Sequence, residues 1–327
     1  MPINDNPNPR AGGGNFAPNA QNPQGDIQGP AANFEHLIDE EPVNPAPAPV
    51  PAPVPAPAPV PQPVAQPLNQ IRITVPDSHT PIVVFFGAQS SGKTLVLLRM
   101  IRFWEKNGYA VVPEKVFRPA SDKHYARMCE ELRDRAYASC APDPTDDISF
   151  MLVKVIDSGG NPVCQVLEAP GEHYYNGTSD LSFPTYITDI RLYPNRKIWV
   201  FFVEVNWGID QSDRDRYAAK IRLMQSLLTP NDKVVFLFNK ADKGRTNALY
   251  THANLPNKRA FFDLIKQQYP GIFKAYENHG VSSIIFGRHN FQAVCFSSGV
   301  FTPINDGMQA WTLESDWYCQ ELWNAIK

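Results

Sequence analysis

The stretch "PIVVFFGAQSSGKTLVLLRMIRFWEK", residues 81–106, decides the fold. Its first part is a continuous apolar run, the pattern of a strand covered on both faces. Its last part places Leu95, Leu98, Ile101 and Arg102 on neighbouring helical turns, with Trp104 adding apolar bulk. Between them lies "GAQSSGKT", residues 87–94. A glycine-rich turn joining a buried strand to a helix lets backbone N–H groups converge on an anion. Gly87, four further residues and then Gly92-Lys93-Thr94 have the spacing of a phosphate-binding loop, and the strand before and helix after supply its context. In that reading the backbone from Gly87 through Gln89, Ser90 and Ser91 to Gly92 folds round the phosphates. Lys93 reaches the β- and γ-phosphates and supports catalysis, and the Thr94 hydroxyl ligates Mg²⁺. The bland alternative is a Gly/Ser turn that does no more than cap a helix.

Downstream, short apolar runs alternate with amphipathic helices. Residues 121–137, "SDKHYARMCEELRDRAY", read as a half-exposed helix of mixed charge. "ISFMLVKVI" and "PVCQVLEA", joined by "DSGGN", read as an antiparallel hairpin about a Gly-Gly turn. After Gly171 an irregular stretch leads to the strand "KIWVFFVEVN", the helix "DRDRYAAKIRLMQSLL" and the strand "KVVFLFNKAD". The helix "NKRAFFDLIKQQY" precedes the strand and turn "FQAVCFSSG", and "SDWYCQELWNAI" closes the chain as a helix with Trp317, Leu322 and Trp323 available for burial. This alternation predicts a doubly wound α/β fold, its sheet mainly parallel with one antiparallel hairpin. Right-handed crossovers then bring the strand-end loops to one rim.

Upstream, the composition changes. The chain of 327 residues has 32 prolines, many of them crowded into its first 67 positions, and "PAPAPVPAPVPAPAPVPQPV" is a polyproline II tract. Such a segment cannot bury enough apolar surface to offset its ordering entropy. The predicted division is a disordered Pro-rich arm over residues 1–70 and a globular domain over 71–327. The arm is either a solvated spacer or a ligand for an aromatic-lined groove on a protein partner. Within it, Phe34, Leu37 and Ile38 have helical spacing among acids.

Net charge of -3 gives no electrostatic case for nucleic acid. The start "MPINDNPNPR" lacks the layout of a secretory signal, and no apolar run is long enough for a membrane span. Five scattered cysteines, never in C-x-x-C spacing, read as reduced thiols of a cytoplasmic protein, and the seven histidines do not cluster with them as a metal cage.

The choice between nucleotides falls to "FLFNKAD". Asp242 can accept from the N1–H and 2-amino group of guanine, a donor pattern that adenine lacks, so ATP would leave it desolvated and unpaired. Asn239 can tie its loop back to the phosphate loop, and the Lys240 stem can lie over the base. In motif order, from about Pro81 to Lys327, the chain resembles the Ras-like GTPases of the P-loop class. "GAQSSGKT" is also similar to the phosphate loop of dynamin-type GTPases, a similarity eight residues deep. The resemblance implies that Ser297 and Ser298 of "FSSG" form the last base-contacting loop, with Gly299 replacing the usual Lys.

The same resemblance exposes departures. The class usually has Asp-x-x-Gly where this chain has Glu168-Ala169-Pro170-Gly171. Glu168 keeps the charge that holds Mg²⁺ but adds a methylene, and Gly171 can offer its N–H to the γ-phosphate. The water-positioning place is taken by Glu172, with His173 one residue later; either serves hydrolysis or Glu172 repels the γ-phosphate and His173 packs beside its tyrosines. Thr145 is the first-switch metal ligand that the resemblance implies, far downstream of Thr94. Arg133 and Arg135 lie in the direction where G-protein alpha subunits carry a cis-acting arginine. The expected function is a Mg²⁺-dependent GTPase switch binding GTP and GDP, with slow or partner-activated hydrolysis. The alternative is a pseudo-GTPase scaffold. Expected partners, beyond guanine nucleotide, are a protein engaged by the arm or switch loops and a second copy through the GTPase domain.

Overall fold

The computed structural model describes residues 73–140, 150–171, 175, 182–205, 210–244, 249–251, 255–277, 290–304 and 309–327. All of them belong to one compact unit, Pro63–Lys327. The Pro-rich arm, Thr145, Glu172 and His173 lie outside the described residues.

Strand β1 (Ile82–Phe86) is buried at every position and occupies the middle of the sheet, between β4 (Pro162–Glu168) and β5 (Lys197–Glu204), parallel to both. Its apolar run is thereby explained: each side chain meets a covered face whichever way it points. Burying one Val, Ile or Phe there contributes about 1.5–3 kcal/mol. Beyond β5 come β6 (Lys233–Asn239) and β7 (Gln292–Cys295), again parallel. On the other side β3 (Met151–Ile156) pairs antiparallel with β4, and β2 (Ala110–Pro113) antiparallel with β3. The order is β2-β3-β4-β1-β5-β6-β7, a mainly parallel seven-stranded sheet containing the expected antiparallel hairpin.

Helix α1 (Lys93–Lys106) buries nearly its whole surface, Val96 through Ile101 included, because it contacts the sheet and two more helices. These are α2 (Lys123–Tyr137) and α6 (Asp316–Ile326), the latter delivering Trp323 edge-on to Trp104, ring centroids 5.5 Å apart. Leu322 is buried with it, whereas Trp317 is half-buried. Helices α4 (Gln211–Met224) and α5 (Lys258–Gln268) follow β5 and β6 as crossovers. Side-chain caps begin α2, α4, α5 and α6, through Asp122, Asp210, Asn257 and Ser315.

Three features were not expected from sequence. Helix α3 (Thr185–Leu192) occupies the stretch read as irregular; its two turns bury only Tyr186, Ile187 and Ile190, too short a pattern to register. Strand β2 is four residues, alternately exposed, and ends in Pro113, which an edge position tolerates. Strands β8 (Val300–Pro303) and β9 (Gln309–Thr312) form a separate antiparallel pair beyond β7. No described helix is long and apolar enough to cross a membrane. The five cysteines are unpaired thiols, all buried except the half-buried Cys140.

Candidate functional site

The C-terminal ends of β1, β4, β6 and β7 lead into the loops carrying the motif residues, and these loops meet on one rim. Residues 87–92 make the turn from β1 to α1. Gly87 has no room for a side chain, since a Cβ would lie 2.6 Å from Ser91 Oγ and 2.7 Å from Phe202 Cβ. Ser90 (φ 58) and Gly92 (φ 85) are left-handed, which curls the loop back on itself. Helix α1 starts at Gly92 without a side-chain cap and without an acid in its first turn. Its leading N–H groups and positive dipole end thus face the loop without a capping side chain of their own.

Into this positive end the chain puts a further cation. Lys93 is 5% exposed, and its ammonium donates to the carbonyls of Gly87 and Ala88, both at 2.9 Å. A buried ammonium at a helix N-terminus is unfavourable by itself, and an anion seated in the loop relieves it. The buried Ser91 hydroxyl, without a partner among the described residues, adds a polar group to the same turn.

Beside the lysine stands Glu168, the last residue of β4 and 1% exposed. Thr94 donates its hydroxyl to Glu168 Oε1 at 2.5 Å, while Oε2 has no partner among the described residues. Burial pushes the carboxyl up to about 7, opposed by the Thr94 hydrogen bond and the Lys93 charge. Two of the three oxygen donors predicted for the metal, Thr94 and Glu168, are therefore adjacent, and the third, Thr145, lies outside the described residues. A hydroxyl, a carboxylate and one spare carboxylate oxygen are hard donors that fit Mg²⁺, which binds few protein groups and keeps water or phosphate for the rest. Among the described residues no three His, Cys, Asp or Glu side chains cluster as a self-sufficient metal cage.

Gly171 closes on the phosphate loop. A Cβ there would come within 2.2 Å of the Gln89 nitrogen and 2.4 Å of Ala88 C, both backbone atoms. The segment is anchored from its far end: Tyr175 N–H donates to Gly171 O at 2.9 Å, and the Tyr175 hydroxyl to Asp213 on α4 at 2.5 Å. Arg216 completes that anchor by pairing with Asp213.

The loop after β6 is bolted to the phosphate loop. Asn239 Nδ2 donates to Ser91 O at 2.6 Å, and Lys240, left-handed at φ 54, donates to Ser90 O at 2.8 Å. A Cβ on Gly92 would lie 2.7 Å from Asn239 Nδ2, so the glycine also permits this approach. Burial pulls the Lys240 ammonium down, and Glu204 opposes that through a 2.7 Å ion pair. Asp242 is held from the β7 side, where Ser297 Oγ donates to it at 2.8 Å. Ala241 N–H donates to Phe296 O at 3.0 Å, fixing the loops after β6 and β7 to each other.

Thus Gly87, Gln89, Ser90, Ser91, Gly92, Lys93, Thr94, Glu168, Gly171, Asn239, Lys240, Asp242, Ser297 and Ser298 converge on one rim. Arg133 is instead drawn to Glu105 at 3.7 Å, joining α2 to α1, and Arg135 to Glu131 at 2.8 Å within α2. Sequence reasoning missed Glu204, although one acid ending the run "KIWVFFVE" at a strand terminus was a usable signal. It also missed Asp213, for which no local pattern existed.

No family model matches the chain, and no curated sequence matches it. Among solved structures it is similar to one described as nucleolar GTP-binding protein 1 from Plasmodium falciparum. Identity is 12%, covering 69% of this chain and 81% of that one, with a TM-score of 0.35. It is likewise similar to the S. cerevisiae Ski7 GTPase-like domain, bound to GDP and inorganic phosphate. There identity is 12%, over 76% of this chain and 51% of that chain, about half its length, with a TM-score of 0.36. Both likenesses are remote; the fold assigned to this chain stands on its own strand order and connections.

Proposed function

We propose that the chain binds guanine nucleotide on this rim and is a Mg²⁺-dependent GTPase of the P-loop class, slow by itself or activated by a partner. The observation that carries the reading is the bracing of one loop by the other. Asn239 and Lys240 bond the carbonyls of Ser91 and Ser90, so a base held by Asp242 and phosphates held at Lys93 belong to one ligand. In this proposal the first-turn N–H groups of α1 and the Lys93 ammonium hold the β- and γ-phosphates. Lys93 leaves its two backbone carbonyls to do so, trading neutral acceptors for anionic ones. Asp242, oriented by Ser297, takes the two guanine donors. Thr94 and Glu168 would hold Mg²⁺, which when bound offsets phosphate charge. Gly171, abutting Gln89, supplies the nucleotide-sensitive contact, and Glu172 or His173 orients water.

A second reading, a nucleotide-binding scaffold with little hydrolysis, draws support from Glu168. Its carboxyl is raised by burial, so it must ionise against that burial before it can engage a cation. A reducing, cytoplasmic setting and a protein partner for the Pro-rich arm or switch loops remain part of the proposal, as does a homodimer.

Titration with fluorescent GTP, GDP and ATP analogues in Mg²⁺, followed by phosphate release on the same sample, separates these readings. Guanine-selective binding with turnover supports the GTPase, and the same binding without turnover the scaffold. Equal affinity for ATP refutes the role given to Asp242. Asp242→Asn should shift preference towards xanthine nucleotides.

A further inference from the structure

The β8–β9 pair is a small sheet of its own, and it follows directly from the loop after β7. Gly299, which ends that loop, has φ 149; a Cβ there would lie 2.5 Å from Thr312 O and 2.6 Å from Trp311 Nε1. Backbone and indole are packed so closely that nothing larger than glycine fits. Trp311 is 6% exposed, and its indole N–H donates to the carbonyl of Ser298 at 3.2 Å. Among the described residues no backbone carbonyl accepts from the Ser298 N–H.

The indole is fixed from its other sides. Phe301 stacks on it at 6.1 Å with the planes 19° apart. The Arg102 guanidinium sits 4.5 Å over its ring while donating to Ala136 O and Ala138 O at the end of α2. Trp311 N–H donates to Ser139 O at 2.9 Å, and Cys140 bridges Ala310. Arg102 belongs to α1, the helix that opens at the phosphate loop. Phe301 and Arg102 thus hold the ring while the segment after α2 holds the backbone of β9, and the indole grips one peptide carbonyl. The Ser298 N–H belongs to the preceding Ser297–Ser298 peptide, a rigid plane held on both flanks, by the Ser297 hydroxyl donating to Asp242 and by the indole donating to the Ser298 carbonyl.

We propose that Trp311 is a positioning residue that aims the Ser298 N–H and thereby sets discrimination at position 6 of the purine. The proposal rests on the guanine-binding reading of the rim. Position 6 is an oxygen acceptor in guanine and hypoxanthine and an amino donor in adenine. A fixed N–H donor rewards the first two and opposes the third. Asp242, reading N1 and the 2-amino group, is a separate determinant on a separate loop.

The test is competition of GTP, ITP and ATP against a fluorescent GDP analogue, using the full chain and Trp311→Phe. Phenylalanine keeps a ring for Arg102 and Phe301 but donates nothing to Ser298. GTP and ITP should weaken together by about three- to ten-fold, as for one lost hydrogen bond, with ATP unchanged or improved. The GTP/ATP ratio then falls while GTP/ITP holds. A general loosening of the fold would weaken all three alike, and that result, or no change, overturns the proposal. Wild-type protein that does not prefer GTP to ATP overturns the parent reading instead. Should Trp311→Phe fail to fold, amide exchange on the wild type decides. GDP should protect Gln309–Thr312 together with Phe296–Gly299; protection of the latter alone refutes the link.

Discussion

Replacing Glu168 by Gln should make the nucleotide-free protein more stable at alkaline pH and leave it nearly unchanged near pH 5. The carboxyl is buried beside Thr94 and Lys93, and burial raises it from 4.5 to about 7. Between those two values the folded state holds a proton that the unfolded chain has released. Its contribution to stability is therefore full below pH 4.5 and falls as pH rises, until it levels off above about 7. Each pH unit within that window removes about 1.4 kcal/mol, so the whole approaches ~3 kcal/mol. Glutamine has the shape of the protonated acid and cannot ionise. Urea unfolding of both proteins in EDTA, from about pH 5 to about pH 8, isolates the effect, because other titrating groups are common to both. The wild-type curve should fall away from the Glu168→Gln curve as pH rises, by up to ~3 kcal/mol. Adding GTP and Mg²⁺ near pH 8 should narrow or reverse the gap, since only the carboxylate can hold the cation. Parallel curves throughout would refute both the burial argument and the placement of Glu168 against Thr94.

Gly171→Ala places a methyl carbon 2.2 Å from the Gln89 nitrogen, where neither partner can retreat without moving backbone. The Gly171 segment should be displaced, lowering the ratio of GTP to GDP affinity by about ten-fold or more while GDP binding persists; stopped-flow titration of both nucleotides checks this. Glu204→Gln removes the charge facing Lys240 but keeps an acceptor, and should destabilise the fold by about 2 kcal/mol, below the ~3–5 kcal/mol of a fully buried pair because the Lys240 side chain keeps 25% exposure. Unchanged urea midpoints would show that the lysine needs only the Ser90 carbonyl. Lys93→Ala should abolish triphosphate binding with the circular dichroism spectrum preserved, and retained affinity would remove the phosphate-loop assignment.

The parts of the fold that were legible in the sequence are those whose burial is complete. Strands β1, β5 and β6 are covered on both faces, so their composition alone announces them, and α1 follows a glycine-rich loop whose residue spacing is a recognisable motif. The converse explains the misses. Helix α3 and strands β2, β8 and β9 bury few side chains each and take their conformation from neighbours far along the chain, as β9 does from Ser139. In the site, residues that would touch the ligand were readable because chemistry fixes their type. Residues that touch those residues were not. Glu204 acts through Lys240 and Asp213 through Tyr175, and such partnerships depend on a crossing of elements that no local spacing encodes.

The long-range bolts between the two loops also set an order of events on the ribosome. Lys240 and the Ser90 carbonyl it grips are 150 residues apart in sequence. At the usual 5–20 residues per second, roughly 8–30 s separate their synthesis. For most of that interval β1 lacks its neighbour β5, and throughout it the turn at 87–92 lacks its brace. A nascent chain halted before Asn239 would present the phosphate-loop sequence without the geometry to use it. Nucleotide capture would then report completed synthesis of the sheet, not the appearance of the motif.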